Sequence, residues 1–157
     1  MSNLLFMKVF EKQGERPMTI KVVDIIVERR GMILLIKRGA FWILPGGEIE
    51  QGEDEMQCLE EVVAREMKDR VDCIFKKLEK TIKGISPVRP GEVEVSVYVG
   101  DISSEKMSDV KDCNAHWFSR ESMSAIRLSN ITKDVLEYYY SEYGKEQNSS
   151  LRKAPTV

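Results

Sequence analysis

The stretch LPGGEIEQGEDEMQCLEEVVAREMKDRVDC, Leu44 to Cys73, decides how this chain is read. A proline and two glycines open it, and a long acidic helical pattern follows. Gly46 and Gly47 allow backbone conformations denied to other residues and a close approach to a neighbour or a ligand. Gly52 marks a second turn. Asp54 is placed to cap a helix, and Gln57, three residues on, completes a capping box. Leu59, Val62, Val63 and Met67 then recur at helical spacing, which predicts a helix as far as about Val71. Glu53, Asp54 and Glu55 stand where the helix dipole favours negative charge.

Two readings of that helix compete. One turn takes 3.6 residues, so Glu66 and Asp69 share a face and could hold a hard cation such as Mg²⁺ through oxygen ligands. Such a cation can take diphosphate oxygens, polarise phosphorus and acidify bound water. The other reading is a solvated surface helix. Glu61 and Arg65, Arg65 and Asp69, and Glu66 and Arg70 are each four apart with opposite charges. Pairs of that kind stabilise an exposed helix by a few tenths of a kcal/mol. Spacing alone leaves both readings open.

Outward from this stretch the chain is strand-rich. Val22, Val23, Ile25, Ile26 and Val27 form a β-branched run, Arg30-Gly31 breaks it, and residues 32–36 resume it. This predicts a hairpin. Runs this apolar predict a sheet covered on both faces. Residues 73–82 predict a strand anchored by Phe75 and Leu78, and Pro87 and Pro90 mark a loop. Residues 92–99 alternate, with Val93, Val95, Val97 and Val99 on one face and Glu92, Glu94, Ser96 and Tyr98 on the other. Residues 103–112 predict a loop or short helix, and His116-Trp117-Phe118 a short strand. Residues 131–143 predict a closing helix with Val135, Leu136 and Tyr139 inward. An arm at 1–17, one domain at 18–143 and a polar, disordered tail at 144–157 are expected.

Bulk properties bound the function. A chain of 157 residues suits one domain with a real core. The formal net charge of −2 offers no global basic surface, so no nucleic-acid partner is expected. Cys58, Cys73 and Cys113 are odd in number and show no CxxC spacing, which argues against a disulfide framework or zinc site and for a reducing cytoplasm. The single histidine, His116, reads as a neighbour of a core strand. No run reaches the length of a membrane span, and the N-terminal apolar run is too short for a signal-peptide core. The arm is a candidate dimerisation element, making a homodimer an expected assembly.

Taken together, these motifs resemble the Nudix hydrolases, the MutT-like family, whose signature is Gx5Ex7REUxEExGU with U aliphatic. Gly47, five residues and Glu53 match its first part, and FWILPGGEIEQGE is close to the usual W-x-L-P-G-G-x-x-E-x-G-E. VVDIIVERRGMILLIKR and AHWFSRESM resemble the family's early strands and its late W-F segment. The likeness spans roughly residues 18–142. In strict register the signature's Arg-Glu falls on Glu61-Val62 and its Glu-Glu on Arg65-Glu66. A four-residue insertion after Glu53 instead aligns Arg65-Glu66 with the Arg-Glu pair, Asp69-Arg70 with the Glu-Glu pair, and Asp72 with the glycine. Four helical residues add about 6 Å of rise. The insertion lies either within the helix or in a loop before Leu59. Both registers give Glu66 a signature glutamate.

The resemblance implies an α/β/α sandwich with a mixed sheet between helices. It implies Mg²⁺, or Mn²⁺, held by the Gly46 carbonyl, Glu66 and Asp69. Arg65 would orient the acidic cluster, and Glu66 or Glu53 would assist water. Arg70 stands where the family has a carboxylate, and would turn to Glu66 or to substrate phosphate. A further carboxylate could come from Glu92, Glu94, Asp109 or Asp112. Trp42 and Phe41 read either as a base-stacking pair or as core, and Lys37 and Arg38 either as phosphate contacts or as a solvated strand end. The implied activity is metal-dependent cleavage of a diphosphate linkage in a nucleoside diphosphate derivative or nucleoside triphosphate. Arg70 and Asp72 motivate an alternative, a weak or inactive Nudix domain that binds a nucleotide ligand as a regulatory module.

Overall fold

The structure, a computed structural model, describes residues 19–67, 73–102 and 114–143. The expected arm and tail, the 103–112 segment, Asp69, Arg70 and Asp72 lie outside these residues. Strand β1 (Ile20–Ile26) runs through the middle of the molecule. It pairs in parallel with β8 (Glu92–Ile102) and antiparallel with β5 (Gly46–Glu48). Strands β6 (Cys73–Lys77) and β7 (Ile82–Ile85) both pair antiparallel with β8, which completes a mixed five-stranded sheet. A second, antiparallel sheet holds β2 (Glu28–Arg29), β3 (Met32–Arg38), β4 (Phe41–Ile43) and β9 (Ala115–Ser119).

Alternation along β1 explains the layering. Val23, Ile25 and Val27 point to one side and pack with Cys58, Leu59, Val62 and Val63 of helix α1 (Glu55–Met67). Ile26 points to the other side, where Val93, Val95 and Val97 of β8 meet Ile131, Val135 and Leu136 of helix α2 (Asn130–Tyr138). A strand apolar on both faces is covered on both faces, and the expected α/β/α arrangement with a mixed sheet is what forms. Among the described residues no helix is long and apolar enough to cross a membrane.

Helix starts follow the sequence closely. The Gln57 N–H donates to Asp54 Oδ1 at 2.8 Å and the Asp54 N–H to Gln57 Oε1 at 3.1 Å, a reciprocal capping box. Ser129 caps α2 by accepting from the Thr132 N–H at 3.2 Å. The closing helix is α-helical only to Tyr138, and its last five residues, Tyr139–Tyr143, form a π turn.

Two expectations change, and one face carries a cover that alternation does not foretell. The early hairpin involves only β2 and the start of β3, turning at Arg30 and Gly31, whose φ angles are 53° and 76°. Two positive-φ residues make the tight turn that suits strand twist, while β1 leaves for the other sheet. The single strand expected over residues 73–82 is two strands. β6 pairs with the second half of β8 and β7 with the first half, and between them Leu78 turns into the core. The polar face of β8 is covered at Ser96 and Tyr98. Glu55, from the first turn of α1, lies over both, accepting from Ser96 Oγ at 2.9 Å, from the Tyr98 hydroxyl, and from Lys77 Nζ at 2.9 Å. Burial alone would raise the Glu55 pKa. The hydrogen bonds from Tyr98, Lys77 and Ser96 outweigh burial and hold the carboxyl below its usual range.

Candidate functional site

The site is built on the double glycine. In β5, Gly46 lies opposite Asp24 and Gly47 opposite Val23. A Cβ at Gly46 would collide with Asp24 Oδ1 and stand 2.5 Å from the Val23 carbonyl oxygen, so the strand has room for glycine only. Gly46→Ala should therefore displace the β5 backbone and destabilise the fold by about 1–3 kcal/mol, as overpacking does. Urea unfolding monitored by tryptophan fluorescence would measure it.

Helix α1 is seated directly on this strand. The Cys58 thiol donates weakly to the Gly47 and Glu48 carbonyls, at 3.7 and 3.5 Å. Burial, with the charge of Glu53 beside it, pushes that thiol up to about 12, so Cys58 is a packing residue rather than a nucleophile. A Cβ at Gly47 would stand 3.1 Å from Val62 and 3.5 Å from the Arg65 guanidinium. The helix runs unbroken from Glu55, so no loop intervenes between its start and Leu59.

Four of the expected site residues converge here. Arg65 Nη2 donates to the Gly46 carbonyl at 2.9 Å, and Arg65 Nε to Glu66 Oε1 at 3.2 Å. The same oxygen of Glu66 accepts from Arg38, delivered by the end of β3. Glu66 is only 13% exposed, whereas Arg38 and Arg65 are 46% and 53% exposed. One carboxylate thus orients two guanidiniums whose outer N–H groups face solvent. Counting these side chains, two cations and one anion give a net charge of +1.

The other expected residues lie elsewhere. Glu53 accepts from the Glu50 N–H at 3.3 Å and meets Glu61. The hydrogen bond to Glu53, and then the charge of Glu53, raise the Glu61 pKa, against a smaller opposing pull from Arg65. Glu50, Glu53, Gln57, Glu60 and Glu61 border a shallow depression of about 520 Å³. Trp42 packs edge-on against Phe118 and His116, with centroids 4.9 and 5.5 Å away. Glu92 and Glu94 are on β8, paired with Ile85 and Lys83 of β7.

The donor set can be tested against the divalent ion that the resemblance implies. The Gly46 carbonyl and Glu66, two of the three expected ligands, are both engaged by arginine. A dication between them would face two guanidiniums with one carboxylate to offset them. Among the described residues no group of three or more His, Cys, Asp or Glu side chains could hold a metal ion. The described residues therefore do not fit a resident divalent ion at this point.

Sequence reasoning missed Asp24. It lies on the face of β1 opposite α1, 8% exposed, and borders a half-open cavity of about 100 Å³ with Val22, Gly46, Val95, Ile131 and Thr132. Among the described residues no hydrogen bond or ion pair reaches its carboxylate, and burial raises its pKa to about 7. The signal was available: Asp24 is the one charged residue inside the run VVDIIV.

This layering, with a glycine turn seated on the helix, is the Nudix fold. No family model matches the sequence, and no curated protein matches it. Solved structures do. A Nudix hydrolase from Nitrosomonas europaea superposes with a TM-score of 0.62 at 18% identity, covering 79% of this chain and 90% of that one. A UDP-X diphosphatase superposes at 0.64 with 15% identity, covering 93% and 73%. The Nudix domain of Shewanella oneidensis NrtR, solved with ADP ribose, superposes at 0.56 with 15% identity, covering 87% and 96%. At these identities the likeness is one of fold.

Proposed function

We propose that this chain is a Nudix-type domain that binds a nucleoside diphosphate derivative and serves as a ligand-binding or regulatory module. The observation that carries this reading is the convergence of Arg38 and Arg65 on Glu66 and the Gly46 carbonyl. Guanidiniums held by a carboxylate present planar, paired donors, the arrangement suited to phosphate oxygens. Support also comes from the company the fold keeps, which includes a domain solved with ADP ribose and a UDP-X diphosphatase.

A second reading is the metal-dependent hydrolase, acting with Mg²⁺ or Mn²⁺ on the diphosphate linkage of such a compound. Glu66 favours it, because both registers give it a signature glutamate and Arg65 ties it to the Gly46 carbonyl. One experiment separates the two. The pure protein is titrated with ADP-ribose, UDP-glucose, ADP and ATP, and parallel samples with Mg²⁺ or Mn²⁺ are assayed for cleavage. The module reading expects saturable binding of at least one compound and no turnover above the metal-only blank. Turnover that disappears in Glu66→Gln would establish the hydrolase instead.

A further inference from the structure

We infer that the Arg65 guanidinium is a built-in substitute for the divalent ion, so that diphosphate binds here without metal. The inference rests on the reading of this site as one for nucleoside diphosphates, and adds how the phosphates are held. Three observations combine. Arg65 donates to the Gly46 carbonyl and to Glu66, two of the atoms that the resemblance assigns to the ion. Arg38 reaches the same carboxylate from the end of β3 while Arg65 lies on α1, so the two cations come from elements fixed relative to each other by the core. Val62, which the unshifted signature sets at a glutamate position, packs against the Gly47 backbone instead of offering a carboxylate.

The donor count is sufficient. A guanidinium carries five N–H groups. Arg65 spends one from Nε and one from Nη2 on Glu66 and Gly46. Among the described residues nothing takes the other three, which can meet ligand oxygens without breaking either anchor. Arg38 spends one on Glu66. The anchoring bonds fix the plane of the Arg65 group, which lowers the entropy lost when phosphate arrives. Lysine cannot reproduce this, because an ammonium has three donors and no plane. The two guanidiniums attract an anion and oppose a dication between the Gly46 carbonyl and Glu66, and the exposed position of both arginines makes the attraction sensitive to salt.

The test is isothermal titration with inorganic pyrophosphate and with ADP, each in EDTA and again in Mg²⁺, on the wild-type chain, Arg65→Gln and Arg38→Gln. The expected result is binding in EDTA, with affinity at least as great as in Mg²⁺. Each variant should weaken it by roughly tenfold or more, the size of a charge-assisted hydrogen bond. Binding of ADP only when Mg²⁺ is present would overturn the inference and leave the nucleoside diphosphate reading standing. Pyrophosphate binding in EDTA, with no binding of ADP or other nucleoside diphosphates, would support the inference and remove that reading. No binding under either condition would remove both.

Discussion

Asp24→Asn should be more stable than the wild-type chain at pH 8, and its advantage should shrink as the pH is lowered to 4. Asp24 is buried on the apolar face of β1 without a partner among the described residues, and its pKa rises from 3.8 to about 7. The sign follows from proton counting. Between those two values the folded state holds a proton that the unfolded state has released, so stability falls as pH rises through the window. A shift of about three units is on the order of 4 kcal/mol, fully lost only above pH 7. Asparagine keeps the shape and cannot ionise, so its stability should not carry this slope. Glu55 titrates with the opposite sign, its depressed pKa losing stability as the solution becomes acidic, so the informative quantity is the difference between variant and wild type. Urea unfolding at pH 4, 5.5, 7 and 8 gives that difference directly. Parallel stability curves for the two proteins would contradict the assignment.

Arg65 variants should show the largest effect on ligand affinity. Arg65→Ala removes both anchored donors and one of two cations, and pyrophosphate affinity in EDTA should fall by roughly 10- to 100-fold, the range of one or two charge-assisted hydrogen bonds. Arg65→Lys keeps the charge but cannot bridge Gly46 and Glu66 while presenting a flat pair of donors. It should recover only a small part of the loss. Full recovery in the lysine variant would mean that charge alone holds the ligand, and the geometric part of the account would fail. Far-ultraviolet circular dichroism guards against misfolding, and the half-exposed position of Arg65 makes large structural damage unexpected.

Much of the architecture could be read from the sequence because local rules and tertiary contacts agree there. Asp54 and Gln57 form the capping box their spacing predicts. The valines of β8 line the core, as their alternation requires. Arg30-Gly31 turns the chain where the β-branched run breaks. Other features depend on which strands become neighbours, and sequence spacing carries no such information. Arg38 is read as a strand end facing phosphate or water, yet the packing of β3 against α1 brings it to Glu66, 28 residues away. Ser96 and Tyr98 are read only as the face opposite the valines, because nothing in their own strand announces that Glu55 will cover them. The split of the strand expected over residues 73–82 arises because one long neighbour, β8, offers two places to pair.

The site was legible in composition but not in arrangement. Gly46, Glu66, Arg65 and Arg38 were all marked by the sequence, and they do meet. Their charges meet in a different order from the one the resemblance implies, with guanidinium against the carbonyl and the carboxylate enclosed by cations. Among the described residues Glu53 is hydrogen-bonded to Glu61 and the Glu50 N–H rather than to Gly46, Arg38, Arg65 or Glu66.

A crystal of the full chain soaked in Mn²⁺ and examined by anomalous scattering tests the central claim most directly. The expected result is an anomalous map with no peak between the Gly46 carbonyl and Glu66, and the Arg65 guanidinium in place on both. A Mn²⁺ ion bound to that carbonyl and that carboxylate, with Arg65 turned away, would contradict it.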